Sequence, residues 1–271
     1  MPTINTNVNA LFAQNALKVN DRNMSKAMQQ LSTGSKVNSS ADDAAGLSSA
    51  TSMTAQIKGM NQAVRNANDA ISMLQTAEGA MTEQTNMLQR MRELAVQATT
   101  STYNSTQLGY LDTEFQALDT QINNIASNTK WNGSTLLASA TTQSFVVGAA
   151  GTETVTVNLA ATDNTTGLAT TSLAVSSAAS AAAAVTAIDT ALASISSARA
   201  KIGAGINQLT YAADNLTNTS ANMQASRSQI MDTDYATATS NLARSQIIQQ
   251  AATAMLAQAN QQPASVLALL K

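Results

Sequence analysis

The chain contains 271 residues with 14 basic and 16 acidic side chains, and it has no histidine and no cysteine. These absences exclude a His/Cys zinc site, a Ser-His-Asp triad and a cysteine nucleophile. A net charge of −2 provides no basic surface for nucleic acid. Hydrophobic residues are 44% of the chain but aromatic residues only 3%, which favours packed aliphatic helices. We therefore predict a structural helical protein with no catalytic, cofactor or metal site.

The first 32 residues are predicted to form an amphipathic helix, with Val8, Leu11 and Leu31 on its apolar face. Asparagine and glutamine fill its other faces, so the helix is too polar to be stable alone. The opening segment, MPTINTNVNA, has no basic region followed by an apolar run, so no cleaved signal peptide is expected. No uninterrupted apolar run reaches 18 residues, so we expect no membrane span.

Acidic pairs occur at Asp42-Asp43 and at Asp232/Asp234. A pair of carboxylates is compatible with acid–base catalysis or with a divalent-ion site. The order Ser40-Ala41-Asp42-Asp43 instead favours a helix start, with Ser40 as the N-cap and Asp43 reaching back to it. We predict capping rather than catalysis here.

A seven-residue apolar repeat predicts a long helix over residues 60–98. A companion line offset by four begins with Val64 and Ile71 and then turns polar. A strict heptad of this length indicates a helix that supercoils around partners. The seam of this helix consists of Met60, Ala67, Leu74, Met81, Leu88 and Ala95.

Charges concentrate on this helix between residues 88 and 97. Glu93 with Arg90 or Gln97 has the spacing of ordinary surface pairs, each worth a few tenths of a kcal/mol. A recognition surface is the functional alternative, and the spacing leaves both readings open.

The middle of the chain is predicted to contain a loop, a shorter helix and a β-hairpin. Residues 99–107 are a polar loop, and residues 108–125 carry apolar side chains on one helical face. Asn132-Gly133 is a turn signal because this dipeptide readily adopts positive φ. The runs 144–147 and 153–159 predict a hairpin around a glycine-bearing loop. Residues 160–177 are predicted to be irregular, and a helix is predicted to start near Ala178.

A second heptad array predicts another long helix towards the end of the chain, with Leu192 and Ile206 as companions. Its seam is Ile188, Ile195, Ile202, Leu209, Leu216, Met223 and Ile230. The final segment is a second marginal amphipathic helix, and we expect the two ends to meet. Its apolar positions include Ile248, Met255, Val266 and Leu269. The predicted fold is mainly α: a long antiparallel coiled-coil rod with a small β-hairpin, and an inner helical domain of paired N- and C-terminal helices.

The chain closely resembles bacterial flagellin. The N-terminal similarity lies in INTNVNALFAQNAL, LSTGSKVNSSADDAAGL and LQRMRELAVQA, and SFVVGAAGTETVTVNL is similar to the family's hairpin. The C-terminal run DTDYATATSNLARSQIIQQAATAMLAQANQQPASVLALLK is similar to its final block. Met231 departs from the family, which usually has an acidic residue there. The short span between hairpin and helix marks a form without large outer domains.

The resemblance implies an inner filament domain from residues 1–42 and 235–271, and a rod-shaped middle domain from 43–234 with its hairpin at about 135–160. It implies a helical homopolymer in the extracellular flagellum, exported by the type III apparatus. Its implied partners are further copies of itself, an export chaperone, and the filament cap and hook-junction proteins. It also implies recognition of the monomer by Toll-like receptor 5 through Gln89, Arg90, Leu94 and Glu114.

Three alternatives belong to other classes of protein. A hook–filament junction protein shares the terminal blocks, and a secreted coiled-coil adhesin would share the heptads. An enzyme carried on a flagellin scaffold is excluded because the chain has no histidine and no insert.

Overall fold

A computed structural model describes the backbone of residues 7–171 and 173–268, with side chains described as far as residue 261. These residues form five α-helices and four strands. In chain order they are α1 (Val8–Thr33), α2 (Ala44–Ala98), α3 (Ser105–Asn128), β1 (Lys130–Trp131), β2 (Ser134–Thr135), β3 (Thr141–Val146), β4 (Thr154–Leu159), α4 (Ala178–Met231) and α5 (Tyr235–Ala268). The mainly helical fold with small antiparallel sheets is thus confirmed.

The chain divides into two compact units. The terminal unit comprises the described parts of Met1–Ala55 and Asn222–Lys271, and the central unit is Gln56–Ala221. Both divisions fall inside the long helices α2 and α4. The sequence-based boundaries at 42/43 and 234/235 lie instead where these helices end, because sequence signals mark helix ends and not changes in packing along a continuous helix.

The helix α1 has a defined cap at each end. Asn7 is the N-cap, and its side chain accepts a hydrogen bond from Ala10 N at 3.1 Å. Gly34 ends the helix in the left-handed conformation, with φ of 70°, and its N–H donates to Gln30 O. Glycine adopts this φ without the steric cost of a Cβ, so the stop is encoded by one residue.

The terminal unit is built on an antiparallel pairing of α1 and α5. Asn7 Nδ2 donates to Ala259 O at 2.8 Å, and Asn20 Nδ2 donates to Ser245 O at 2.8 Å. The buried residues of α1 are Ala10, Asn20 and Ala27. The fully buried residues of α1 are therefore two alanines and one satisfied amide, and Leu17, Met24 and Leu31 are half-buried at the heptad spacing of Ala10.

Both acidic pairs serve helix starts or the chain beside them. Asp43 Oδ1 accepts from Gly46 N at 2.9 Å, so the cap of α2 is Asp43 and the prediction of Ser40 was wrong. Asp43 fits because its carboxylate directly precedes the first helical residue. Asp234 likewise accepts from Ala236 N at 2.9 Å at the start of α5, and a hydrogen bond from Thr237 lowers the pKa of Asp234.

Asp42 lies between α1 and the start of α2, and it forms an ion pair across this segment. Its Oδ1 is 2.8 Å from Lys26 Nζ, and its Oδ2 accepts hydrogen bonds from Ser39 and from Asn38 N. The Lys26 ammonium and these donors hold the pKa of Asp42 below its ordinary value. The ion pair of Lys26 with the charged Asp42 carboxylate therefore anchors the segment between the two helices.

In the central unit, α2 and α4 run antiparallel. Their cross-contacts are Arg92 Nε to Asp189 Oδ1 at 2.7 Å, Arg199 Nη2 to Glu78 Oε1 at 3.7 Å, and Ser220 Oγ to Asn61 Oδ1 at 3.1 Å. As the residue number rises along one helix, it falls along the other. This direction agrees with the predicted antiparallel coiled coil.

The seam residues of both heptads are buried. Exposure is at most 9% for Met60, Leu74, Met81, Leu88, Ile188, Ile195, Ile202, Leu209 and Leu216. The seam residues up to Leu216 therefore contribute to the core, whereas Met223 and Ile230, further along α4, are only half-buried.

The large residues of the predicted companion lines are not fully buried. Val64, Ile71, Leu192 and Ile206 are half-buried. Ala213 and Ser220, four residues after Leu209 and Leu216, are buried, whereas the other buried companions lie three residues after their seam positions. Those companions are Ala63, Ala70, Ala77, Gln84, Met91 and Ala98 on α2, and Ala191, Ala198 and Gly205 on α4. Except for Gln84 and Met91 these side chains are small, which allows close approach of neighbouring backbones.

The two hairpins differ in how they turn. Asn132 and Gly133 have φ of 47° and 83°, and Lys130 pairs with Thr135, which confirms the predicted turn. The strands β3 and β4 pair from Thr141↔Leu159 to Val146↔Thr154, so the first strand begins three residues before its predicted start at residue 144.

The larger hairpin packs close to both long helices. A Cβ at Gly205 would lie 2.6 Å from Val157 Cγ2, and a Cβ at Gly59 would lie 2.5 Å from Ala149 O. Both distances are far inside normal contact, so these positions in α4 and α2 require glycine.

The predicted irregular connection after β4 contains a buried polar network that the sequence did not reveal. Asp119 on α3 accepts hydrogen bonds from Asn164 Nδ2 at 2.9 Å and Thr170 Oγ1 at 2.7 Å. Burial acts to raise the pKa of Asp163, but hydrogen bonds from Thr165, Thr166 and Gly167 outweigh it and lower that pKa. The connection is therefore held to α3 by side-chain hydrogen bonds.

One described helix, α4, is long and apolar enough to cross a membrane by length and composition. Ile188, Ile195 and Ile202 on this helix are at most 1% exposed within the central unit. The apolar seam of α4 is thus covered inside the central unit, although only 28% of the most apolar 18-residue window of the helix is buried.

Candidate assembly and recognition surfaces

Large apolar side chains on α1 and α5 point to solvent. They are between 44% and 70% exposed, although such residues on a paired helix are normally buried. We call this set the apolar stripe: Val8, Leu11, Phe12, Val19, Met28, Ile247, Ile248 and Met255. The fully buried residues of the pair are thus small, large side chains such as Leu17, Met24 and Leu242 are half-buried, and the residues of the apolar stripe remain uncovered.

The register of the pair places stripe residues of both helices at the same levels. The hydrogen bonds from Asn7 and Asn20 to the backbone of α5 fix this register. By that alignment Leu11 lies level with Met255, and Val19 lies level with Ile247. Exposed apolar residues of both helices are therefore found at the same levels along the pair.

The sequence-predicted assembly residues fall mostly in this stripe. Val8, Leu11, Ile248 and Met255 are exposed, and Leu31 is half-buried. The prediction that the ends meet agrees with the α1–α5 pairing, but these large residues do not form its buried face. The side chain of Val266 and the whole of Leu269 lie outside the described residues.

A second surface forms where α2 and α3 meet around Arg90. Arg90 Nε and Nη2 donate to Glu114 Oε1 at 3.0 and 2.9 Å, and Nη1 donates to Glu93 Oε2 at 3.0 Å. These hydrogen bonds, chiefly the ones to Glu114, raise the pKa of the Arg90 guanidinium. The Arg90 side chain remains 50% exposed, so the pairs orient the guanidinium without covering it.

Of the other predicted recognition residues, one is exposed at this surface and one is buried. Gln89 is exposed beside Arg90, whereas Leu94 is only 1% exposed. In this conformation Leu94 packs beneath the surface and presents no contact area of its own. Sequence reasoning also missed the Arg92–Asp189 pair, because the two residues are far apart in the chain and only the antiparallel register brings them together.

No group of three or more potential metal ligands occurs among the described residues. Asp42, Asp43, Asp232 and Asp234 are instead engaged by hydrogen bonds near the helix ends, where Ser228 donates to Asp232 Oδ2 at 2.6 Å. The acidic pairs are structural elements.

Comparison with protein-family models gives two matches that together span most of the chain. Residues 4–142 match the bacterial flagellin N-terminal helical region, and residues 185–270 match the bacterial flagellin C-terminal helical region. The chain belongs to the bacterial flagellin family.

Curated flagellins align with the chain from end to end. A flagellin of Halalkalibacterium halodurans is 41% identical, with 99% of both chains covered. A flagellin of Bacillus subtilis is 37% identical over 99% of both chains, and flagellin B of Vibrio cholerae is 33% identical over 98% of this chain and 99% of its own.

Two solved structures are similar to the chain. The crystal structure of Bacillus cereus flagellin is 32% identical and covers 60% of this chain and 94% of its own, with a TM-score of 0.49. A putative flagellar hook-associated protein from Vibrio parahaemolyticus is 14% identical, with a TM-score of 0.59, and covers 70% of this chain and all of its own. The second likeness concerns the fold alone.

Flagellins are structural proteins and not enzymes. They polymerise into the bacterial flagellar filament, which is extracellular, and membership of this family makes the chain a filament subunit. The readings as an enzyme and as an unrelated adhesin are thereby set aside.

Proposed function

We propose that this flagellin polymerises through its terminal unit, with the apolar stripe of α1 and α5 buried between subunits. The exposure of the stripe is the observation that carries the proposal. An uncovered apolar surface of this extent on a protein of a polymer-forming family marks a contact between copies. The terminal unit would then form the inner domain of the filament, and the central unit the middle domain.

The contacts inside the terminal unit support this arrangement. The hydrophobic residues buried on α1 are two alanines, Ala10 and Ala27, which release little free energy on burial. The large side chains at the heptad positions of the pair are only half-buried, so the α1–α5 pair gains further stabilisation when the stripe is covered by other copies. A marginal terminal unit also suits passage of an unfolded chain through the type III export channel.

Assembly with charge-bearing variants tests this proposal. Phe12→Asp and Ile247→Asp each place a carboxylate in the stripe, which the subunit contact would have to desolvate. Both variants should stay monomeric under conditions in which the wild type forms filaments visible by electron microscopy. Tyr211→Asp is the matched control, since Tyr211 is 74% exposed on α4 of the central unit. Normal filaments from Phe12→Asp and Ile247→Asp would refute the proposal.

We also propose that the monomer is recognised by Toll-like receptor 5 through the surface around Arg90. Gln89, Arg90 and Glu114 would provide the contacts, with Leu94 supporting them from below. A planar guanidinium held at two carboxylates and half exposed is a suitable anchor for a protein partner. We place the export chaperone, the filament cap and the hook-junction proteins among the further partners on family grounds.

The receptor proposal requires a binding comparison. Arg90→Ala should sharply weaken receptor binding by the monomer, whereas Lys58→Ala, another exposed cation of the central unit, should leave it unchanged. Exposed ion pairs contribute about 0–1 kcal/mol, so the melting temperature should hardly move. Equal affinity of the two variants and the wild type would overturn the proposal.

A further inference from the structure

The twelve methionines of the chain differ greatly in exposure. Met81 and Met91 in α2 are fully buried, at 0% exposure. Met28 in α1 is 55% exposed and Met255 in α5 is 66% exposed. These two are the exposed methionines among the described side chains, and both belong to the apolar stripe.

An exposed thioether is open to two-electron oxidants. In the reaction with hydrogen peroxide, the Sδ lone pair attacks one peroxide oxygen, an S–O bond forms and the O–O bond breaks. The leaving hydroxide takes up the proton of the transferred oxygen, so the sulfur is oxidised to the sulfoxide and peroxide is reduced to water. The product is polar and accepts hydrogen bonds, whereas the thioether is apolar.

The position of the two residues gives this chemistry a consequence for assembly. Met255 lies level with Leu11 in the α1–α5 register, and both side chains are at least 60% exposed. A sulfoxide there must be desolvated if the stripe is buried between subunits, and an apolar contact offers it no donor. Oxidation would therefore act on the subunit contact and leave the buried core of the central unit intact.

We propose that Met28 and Met255 are two separate peroxide-sensitive positions at which oxidation blocks polymerisation. The inference rests on the proposed function of the stripe. Because sulfoxides are reducible enzymatically, the block is reversible. Oxidation takes place on the free subunit, since burial in the filament would shield both sulfur atoms.

Peptide mapping by mass spectrometry on monomer treated with hydrogen peroxide tests the first step. Met28 and Met255 should be converted to sulfoxide well before Met81 and Met91, which serve as internal controls. Equal conversion of all four in the folded monomer would overturn the inference.

Assembly of the oxidised chain tests the second step. Oxidation of the wild type should raise the critical concentration for polymerisation roughly tenfold or more, and treatment with a methionine sulfoxide reductase should restore it. The double variant Met28→Leu/Met255→Leu, which keeps both side chains apolar, should polymerise normally before and after peroxide. The inference fails if the doubly oxidised wild type assembles like untreated protein, or if the double variant is inhibited equally.

The Ile247→Asp variant separates this failure from failure of the stripe. Ile247 is in the stripe but cannot be oxidised by peroxide in this way. If Ile247→Asp blocks assembly while oxidised wild type assembles, only the methionine inference is wrong. If Ile247→Asp also assembles, the stripe itself is not the subunit contact.

Discussion

Replacing Ile247 by alanine should weaken polymerisation by an amount that follows from its exposure. Complete burial of such a side chain contributes about 1.5–3 kcal/mol. Ile247 is 67% exposed in the monomer, so covering it in a filament releases roughly two-thirds of that, about 1–2 kcal/mol. Ile247→Ala forfeits most of this contribution for every subunit added, which raises the critical concentration by roughly 5- to 30-fold.

Sedimentation of polymer across a series of total concentrations measures this value directly. Thermal unfolding of the monomer is the accompanying control and should be nearly unchanged, because the side chain is already mostly in water. A critical concentration equal to that of the wild type would show that Ile247 stays exposed in the filament. A large loss of monomer stability would instead assign the residue to the fold of the terminal unit.

Further predictions concern the fold. Leu209→Ala removes a fully buried side chain and should lower the free energy of unfolding by about 2–5 kcal/mol in denaturant titration. Gly59→Ala should destabilise the monomer, since the new methyl group collides with backbone, whereas Gly79→Ala, with nothing within 4 Å, should stabilise it by about 0.5–1 kcal/mol in the same assay. Because the pKa of Asp42 is lowered in the folded protein, its carboxylate stabilises the fold fully at pH values above the ordinary pKa of 3.8. This stabilisation is lost as the pH falls through the lowered pKa. Asp42→Asn should therefore reduce stability at neutral pH and flatten its acid dependence in melting curves.

The long helices could be predicted because seven-residue spacing of Met, Leu and Ile is visible along the chain. Asn132-Gly133 likewise encodes its own turn, since the dipeptide tolerates positive φ. The buried residues beside the seam could not be predicted in the same way. Alanine occurs throughout this sequence, so the spacing of Ala63 and Ala70 does not distinguish them from exposed alanines. Only the packing shows which alanines are buried.

The surfaces depended on tertiary information in a similar way. Amphipathic spacing indicated that Leu11 and Met255 share the apolar character of their helices, but not that Ala10 and Asn20 would occupy the buried positions. Only the pairing geometry shows which face remains uncovered. Arg90 could be selected by family resemblance, whereas its two hydrogen bonds to Glu114 Oε1 depend on how α2 and α3 pack.

The most direct test of the central claim uses the absence of cysteine from the chain. Val19→Cys introduces a single thiol in the middle of the stripe, at a position that is 47% exposed in the monomer. We predict rapid labelling by a maleimide in the monomer, strong protection in assembled filaments, and full recovery of labelling after the filaments are dissociated. Labelling of intact filaments at the monomer rate would contradict the claim that the stripe is buried between subunits.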